Sequence, residues 1–273
     1  MSPRDWRIGV AGLGTVGTGL LTFLDERPAF APAGGQARVT GVSARSRTRP
    51  RGFDISNLPW FDDPVALAQS DEIDVFVELI GGSDGPAKAA VEAALKAGKP
   101  VVTANKALIA EHGAALAALA EAAGVPLLFE AAVMGGTPAV KMVREAMVGD
   151  DVRSLSGILN GTCNFILTEM EQGGRAFEDV LAEAQRLGYA EADPTMDVGG
   201  FDAAHKITIL AALAFNCAPD FAACEVEGVD QVELLDIRMA KDLGYRIKLI
   251  ASADRSDEGV SVRVHPSLVP LAH

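Results

Sequence analysis

The chain has 273 residues, with 24 Lys and Arg against 37 Asp and Glu for a formal net charge of −13, and is 49% hydrophobic and 22% charged. This composition belongs to a folded protein with room for one large or two moderate domains, and it excludes a disordered chain. So acidic a chain also excludes a sequence-independent grip on nucleic acid, and any anionic ligand must be met by local positive potential.

The N-terminal stretch 1–7 lacks the apolar core of a secretory signal, and the longest apolar run, 207–215, broken only by Thr208, is too short for a bilayer span. The expectation is a soluble, cytoplasmic protein without a membrane partner. Residues 6–11 read as a buried strand, followed by a glycine-rich turn and a helix through Leu24. The Pro- and Gly-containing stretch 28–35 reads as a loop before a second strand at 38–42, and residues 73–80 form a third, ending in Gly81-Gly82. Two alanine-rich helices at 87–97 and 107–123 have Gly98 and Gly124 just past their ends, with extended segments at 100–103 and 125–130. Strands separated by helices predict an α/β domain with a doubly wound, largely parallel sheet. From about Ala131 the alternation breaks down: a strand at 153–159, helices at 177–187, 201–215 and 232–243, then closing strands at 245–251 and 260–265. This pattern predicts an α+β second domain on its own sheet, with the domains at 1–130 and 131–273. The cysteines Cys163, Cys217 and Cys224 are too few and too late for a disulfide framework and read as reduced thiols.

Gly12-Leu13-Gly14-Thr15-Val16-Gly17 is a G-x-G-x-x-G that follows a strand and opens a helix. In that setting the first glycine permits a tight turn, the second lets a pyrophosphate approach the backbone, and the third allows close helix–strand packing. The helix N-terminus supplies the amide donors and positive dipole that an acidic protein otherwise lacks. A dinucleotide is therefore expected at Gly12, Gly14, Thr15, Val16 and Gly17 of a Rossmann-type domain. NAD binders usually place a carboxylate at the end of the second strand, but here it ends Gly41-Val42-Ser43-Ala44-Arg45. Arg45, with Arg47, Arg49 and Arg51 beyond it, forms a basic cluster suited to a 2′-phosphate, so NADP is expected ahead of NAD. The arginines beyond Arg45 read as a solvated loop.

Residues 187–206 are the most informative. A loop carrying Glu191, Asp193 and Asp197 leads into a helix otherwise made of Ile, Leu and Ala. Asp202 and Lys206 are four apart and share a helix face. Near an apolar core such a pair can desolvate and orient the lysine for proton transfer; on an open surface it would be of little consequence. The carboxylates lack the spacing of a calcium loop.

These features, with Ile80-Gly81-Gly82, Ala104-Asn105-Lys106, residues 130–138 (Glu-Ala-Ala-Val-Met-Gly-Gly-Thr-Pro) and Asn160-Gly161-Thr162-Cys163-Asn164, run in the order found in homoserine dehydrogenases. The chain resembles that family over nearly its whole length. The resemblance implies a Rossmann-type domain followed by an α+β catalytic and dimerisation domain. It implies NAD(P)-dependent interconversion of L-homoserine and L-aspartate 4-semialdehyde in threonine, methionine and isoleucine biosynthesis. It further implies Lys206 as proton donor and acceptor at the substrate oxygen, and Lys106 as a second active-site lysine near nicotinamide and substrate. Glu191 would hold the substrate ammonium, Asp202 and Asp197 would belong to the substrate site, and Ile80 and Gly81 would line the cofactor with Lys106. Glu130, Val133, Gly135 and Thr137 resemble the family's sodium site, formed largely by backbone carbonyls, which orders a loop and takes no part in the chemistry. A homodimer through the second domain is implied, where a sheet edge at 245–265 can pair. The family's catalytic region continues past 265–270 to complete the nucleotide domain, and many members add a regulatory domain; this chain stops at His273.

The chemistry agrees with that resemblance. Oxidising an alcohol beside a nicotinamide requires a proton acceptor on oxygen, and a lysine so used must be tuned by burial or by nearby charge. Lys106 near Lys206 would supply repulsion that Asp202 opposes. Two other readings compete. Cys163 at a helix start would be a covalent nucleophile, but the sequence places none of His112, His205, His265 or His273 beside it. A non-catalytic dinucleotide-binding sensor or remnant is the other, and the set Lys106, Glu191, Asp202 and Lys206 argues against it.

Overall fold

The computed structural model describes residues 5–27 and 35–273, so residues 1–4 and all but Gly35 of the expected 28–35 loop lie outside the described residues. It divides into two compact units, 1–139 and 140–273.

The first unit is built on six strands: β1 (Trp6–Ala11), β2 (Ala37–Ser43), β3 (Trp60–Phe61), β4 (Val75–Glu78), β5 (Val101–Thr103) and β6 (Leu127–Leu128). All pairings are parallel, in the order β3-β2-β1-β4-β5-β6. The helices are α1 (Thr15–Glu26), α2 (Pro64–Gln69), α3 (Pro86–Lys96), α4 (Lys106–Ala123) and α5 (Glu130–Val133). Val10, Val42 and Phe76 are fully buried on the inner strands, where β-branched and aromatic residues suit a sheet covered on both faces. The chain runs from β1 outward to β2 and β3, then returns to place β4 on the other side of β1, so the strand order reverses between β1 and β4. Their last residues, Ala11 and Glu78, are register partners. In open α/β sheets a ligand crevice lies outside the carboxyl ends of the strands at such a reversal.

The unit boundary falls within α6 (Ala139–Lys141), which runs on as a π-helical turn, Met142–Ala146. Then come β7 (Ser154–Gly157), α7 (Gly161–Gly173), α8 (Phe177–Leu187), α9 (Thr195–Val198), α10 (Phe201–Phe215), β8 (Glu225–Val226), α11 (Leu234–Asp242), β9 (Tyr245–Ser256) and β10 (Gly259–Pro270). The sheet order is β7-β9-β10-β8, antiparallel except for β10 with β8. Along β9, Ile247, Leu249, Ala251 and Ala253 alternate inward and pack with Ile166, Met170 and Ile207 of α7 and α10. The 245–265 segment is thus the centre of its sheet and not a simple edge. β7 covers β9 only at residues 251–254, so residues 245–250 keep one unpaired side among the described strands. No helix of the described residues is long and apolar enough to cross a membrane.

Candidate functional site

In the first unit the glycine loop sits at the carboxyl end of β1. Gly12 has φ 101°, and a Cβ there would stand 2.2 Å from the Leu79 carbonyl oxygen just past β4. A Cβ on Gly17 would lie 2.0 Å from the Gly12 carbonyl oxygen, so α1 can pack on the loop only through glycine. Gly14 differs. It is the N-cap of α1, no side chain caps the helix, its first turn has no acidic residue, and the space where a Cβ would point is open. The amides of the first turn are thereby left to an anion arriving from outside. Thr15 and Val16 are exposed there, Val16 at 63%, while Leu21 and Leu24 further along the helix are buried.

Beyond β2, Arg45 is exposed, two residues past the strand end. Arg51 is not the solvated group expected of it. Its guanidinium donates to the carbonyls of Ser46 (2.5 Å), Arg49 (2.9 Å), Leu13 (3.3 Å) and Arg47 (3.4 Å). The five-donor fork therefore folds the loop and ties it to the glycine loop. Arg47 and Arg51 both lie about 6 Å from the Trp60 ring.

Ile80 and Gly81 form the turn after β4, and their amides donate to Glu78 Oε1 at 2.7 and 3.0 Å. Lys106 is the first residue of α4, after the N-cap Asn105. Glu130 opens α5, Val133 closes it buried, and Gly135 and Thr137 follow, exposed. The Glu130 and Thr137 carbonyls accept the Met134 and Ala139 amides at 3.0 and 2.8 Å. This all-oxygen set fits a hard cation.

In the second unit, Lys206 lies on α10, one turn after Asp202. Its Nζ donates to Asp202 Oδ2 at 2.6 Å and to the Leu159 carbonyl at 2.9 Å. Among the described residues two of its three ammonium donors are committed, which leaves the third for a ligand oxygen. The side chains are 19% and 9% exposed, so the pair is shielded and not a surface bridge. Asn160, which the sequence offers only as part of the 160–164 motif with no role at the site, is the residue that organises these groups. Its Nδ2 donates to Asp197 Oδ1 at 2.7 Å and Asp202 Oδ2 at 2.9 Å, while its Oδ1 caps α7 through the Cys163 amide at 2.8 Å. Asp197, Asp202 and Lys206 are thus joined in one network. Glu191 stands outside it on an exposed loop held by Gln185, which donates to the Glu191 carbonyl at 3.0 Å. Asp193 serves locally: Thr195 donates to it through hydroxyl and amide, which holds its carboxyl below the ordinary range.

Cys163 is fully buried, with its Sγ donating to the Asp197 carbonyl. Burial, and then the charges of Asp197 and Asp202, push its thiol up to about 12, so no thiolate forms at neutral pH. Iodoacetamide at pH 8 is expected to label the exposed Cys217 and spare Cys163 in the native protein, as read by peptide mass spectrometry. Labelling of Cys163 at the rate of Cys217 would restore the nucleophile reading.

A glycine loop at the reversal of a parallel sheet, joined to an α+β unit with an anchored lysine, is the architecture of the dinucleotide-binding dehydrogenases. Residues 12–130 match the model for the homoserine dehydrogenase NAD-binding domain, and residues 138–273 match the homoserine dehydrogenase model. The chain belongs to the homoserine dehydrogenase family. It is 48% identical to homoserine dehydrogenase of Pseudomonas aeruginosa, over 97% of this chain and 61% of that protein. A crystal structure of a homoserine dehydrogenase from Thiobacillus denitrificans superposes with TM-score 0.92 at 46% identity, covering 99% of this chain and 63% of that one. A hyperthermophilic archaeal homoserine dehydrogenase in complex with NADPH gives TM-score 0.83 at 26% identity, covering 99% and 84%. The chain spans about 60% of the length of the curated relatives it matches.

Proposed function

We propose that the chain interconverts L-homoserine and L-aspartate 4-semialdehyde with NADP as cofactor, in the cytoplasm and in the biosynthesis of threonine, methionine and isoleucine. The observation that carries this reading is Lys206, anchored at two of its donors with one left over. The nicotinamide, when bound, supplies the hydride chemistry. In the reducing direction the free N–H of Lys206 donates to the aldehyde oxygen and its proton goes to the new hydroxyl; in the oxidising direction the neutral amine takes it back. Asp202 and Leu159 fix the ammonium in place, so its direction is set before substrate arrives. Glu191, exposed on its loop, pairs with the substrate ammonium, and Asp197 lines the same site. Gly12, Gly14, Thr15, Val16 and Gly17 hold the pyrophosphate, with Ile80, Gly81 and Lys106 along the remainder. Main-chain oxygens of Glu130, Val133, Gly135 and Thr137 hold sodium, which orders their loop. The assembly is a homodimer formed through the second unit.

The test is absorbance at 340 nm with L-homoserine and NADP, then NAD, with and without sodium. Turnover supports the reading. No turnover with NADPH fluorescence still responding would replace it by a non-catalytic binding protein. Arg45 supports NADP because it is exposed beside the end of β2, where the ribose is held in this class. Arg45→Ala is expected to raise the KM for NADP about tenfold, the scale of one charge-assisted hydrogen bond, and to leave that for NAD unchanged. An equal rise for both would remove Arg45 from the 2′-phosphate.

A further inference from the structure

Glu78 is the last residue of β4 and is fully buried. Its register partner on β5 is Thr103, 1% exposed. Oε1 of Glu78 accepts the Ile80 and Gly81 amides, and Oε2 accepts the Thr103 hydroxyl at 2.5 Å. Thr103 Oγ1 in turn accepts the Asn105 amide at 2.9 Å. Asn105 closes the ring: Nδ2 donates to the Gly82 carbonyl at 2.7 Å, and Oδ1 caps α4 through the Leu108 amide at 3.1 Å. Two turns are therefore fastened to one carboxylate. One is 80–82, which abuts the glycine loop where Gly12 approaches Leu79. The other starts α4 and carries Lys106 as its first helical residue.

Burying a carboxylate whose partners are donors rather than a cation costs several kcal/mol unless those hydrogen bonds are made. An apolar residue would serve a sheet interior better, so the carboxylate marks a position where geometry is being set. We propose that Glu78 and Thr103 are positioning residues that hold the 80–82 turn and the N-terminus of α4 as one block, so that the dinucleotide turn and Lys106 are placed together. This rests on the dehydrogenase reading above for what the two turns face. Glu78 acts on both turns. Thr103 acts as the link, since among the described side chains its hydroxyl is what joins the Glu78 carboxylate to Asn105.

The test uses Thr103→Val, which keeps the shape and removes the hydroxyl, and Thr103→Ser, which restores it. With each unsatisfied buried group worth about tenfold, Thr103→Val is expected to lower kcat roughly tenfold with the NADPH Kd within about threefold, and Thr103→Ser to recover the wild-type value. In a Lys106→Ala background Thr103→Val should cost nothing further, because its effect passes through Lys106. The same loss in both backgrounds, or no loss in either, overturns the proposal. NADPH binding supplies an arm independent of turnover. Glu78→Ala should raise the Kd about tenfold and Glu78→Gln, whose carbonyl still accepts the Ile80 and Gly81 amides, should recover most of it. A wild-type protein that binds NADPH without turnover refutes the dehydrogenase reading alone, whereas wild-type affinity in folded Glu78→Ala refutes this one.

Discussion

Lys206→Ala is expected to lower kcat by about 10³-fold, ~4 kcal/mol of transition-state stabilisation, within the range for loss of a positioned acid–base group. The NADPH Kd should stay within about twofold, because the glycine loop that carries the dinucleotide reading, residues 12–17, belongs to the first unit and Lys206 to the second. The substitution also strands a carboxylate. Asp202 is 6% exposed and keeps the Asn160 donor, but it loses an ammonium at 2.6 Å, so a fall in Tm accompanies the kinetic loss. Asp202→Asn separates the two effects: it leaves Lys206 in place with a neutral oxygen to donate to. Its kcat should fall less than that of Lys206→Ala, by about ten- to a hundredfold. The double variant should be no slower than Lys206→Ala, since the two residues act as one unit. Turnover within tenfold of wild type for Lys206→Ala would remove that lysine from the proton transfer.

How much of this was legible in the sequence follows from the range of each interaction. β1, β2 and β4 show as β-branched runs, and α3 and α4 as alanine-rich segments ended by glycine, all local signals. The two-residue β3 and the short α2 leave no such trace, although Asp63 and Pro64 do mark the start of α2, with Asp63 capping Val65. α7 starts and ends in glycine and carries Thr162 and Asn164 in its first turn, so its own propensity is poor and burial of Ile166, Leu167 and Met170 makes the helix. The site divides in the same way. The Asp202–Lys206 pairing is readable from a spacing of four. The Leu159 carbonyl and Asn160, 47 residues from Lys206 and 42 from Asp202, are not. Asn160 did offer one clue, an Asn before a glycine at a helix start, which is an N-cap signal. Arg51 reads as a solvated group in the sequence because its partners are main-chain carbonyls, which leave no mark in composition. Glu78 at the end of an apolar strand was visible, but whether it faced solvent or the interior was decided by the register of β4 with β5.

Among the glycines, Gly12 and Gly14 should respond in opposite ways, and the contrast separates fold from ligand. Gly12→Ala is expected to cost the first unit its packing. The new Cβ would stand 2.2 Å from backbone at Leu79, no rotamer relieves that contact, and φ 101° is itself strained for any residue with a Cβ. A large fall in Tm with loss of NADPH binding is the expected outcome. At Gly14 the backbone is at φ −78°, which alanine adopts freely, and nothing occupies the space its methyl would enter. Gly14→Ala should therefore melt within a few degrees of wild type, the scale of replacing glycine by alanine at an N-cap. Its NADPH Kd should nevertheless rise at least about a hundredfold, because the methyl takes the place through which a pyrophosphate reaches the α1 amides. Fluorescence titration beside a thermal melt reads both quantities on one sample. Wild-type affinity in a well-folded Gly14→Ala would mean that the open space at the head of α1 is not where the phosphates lie. Loss of binding without loss of fold would place them there, on a helix end left uncapped for that purpose.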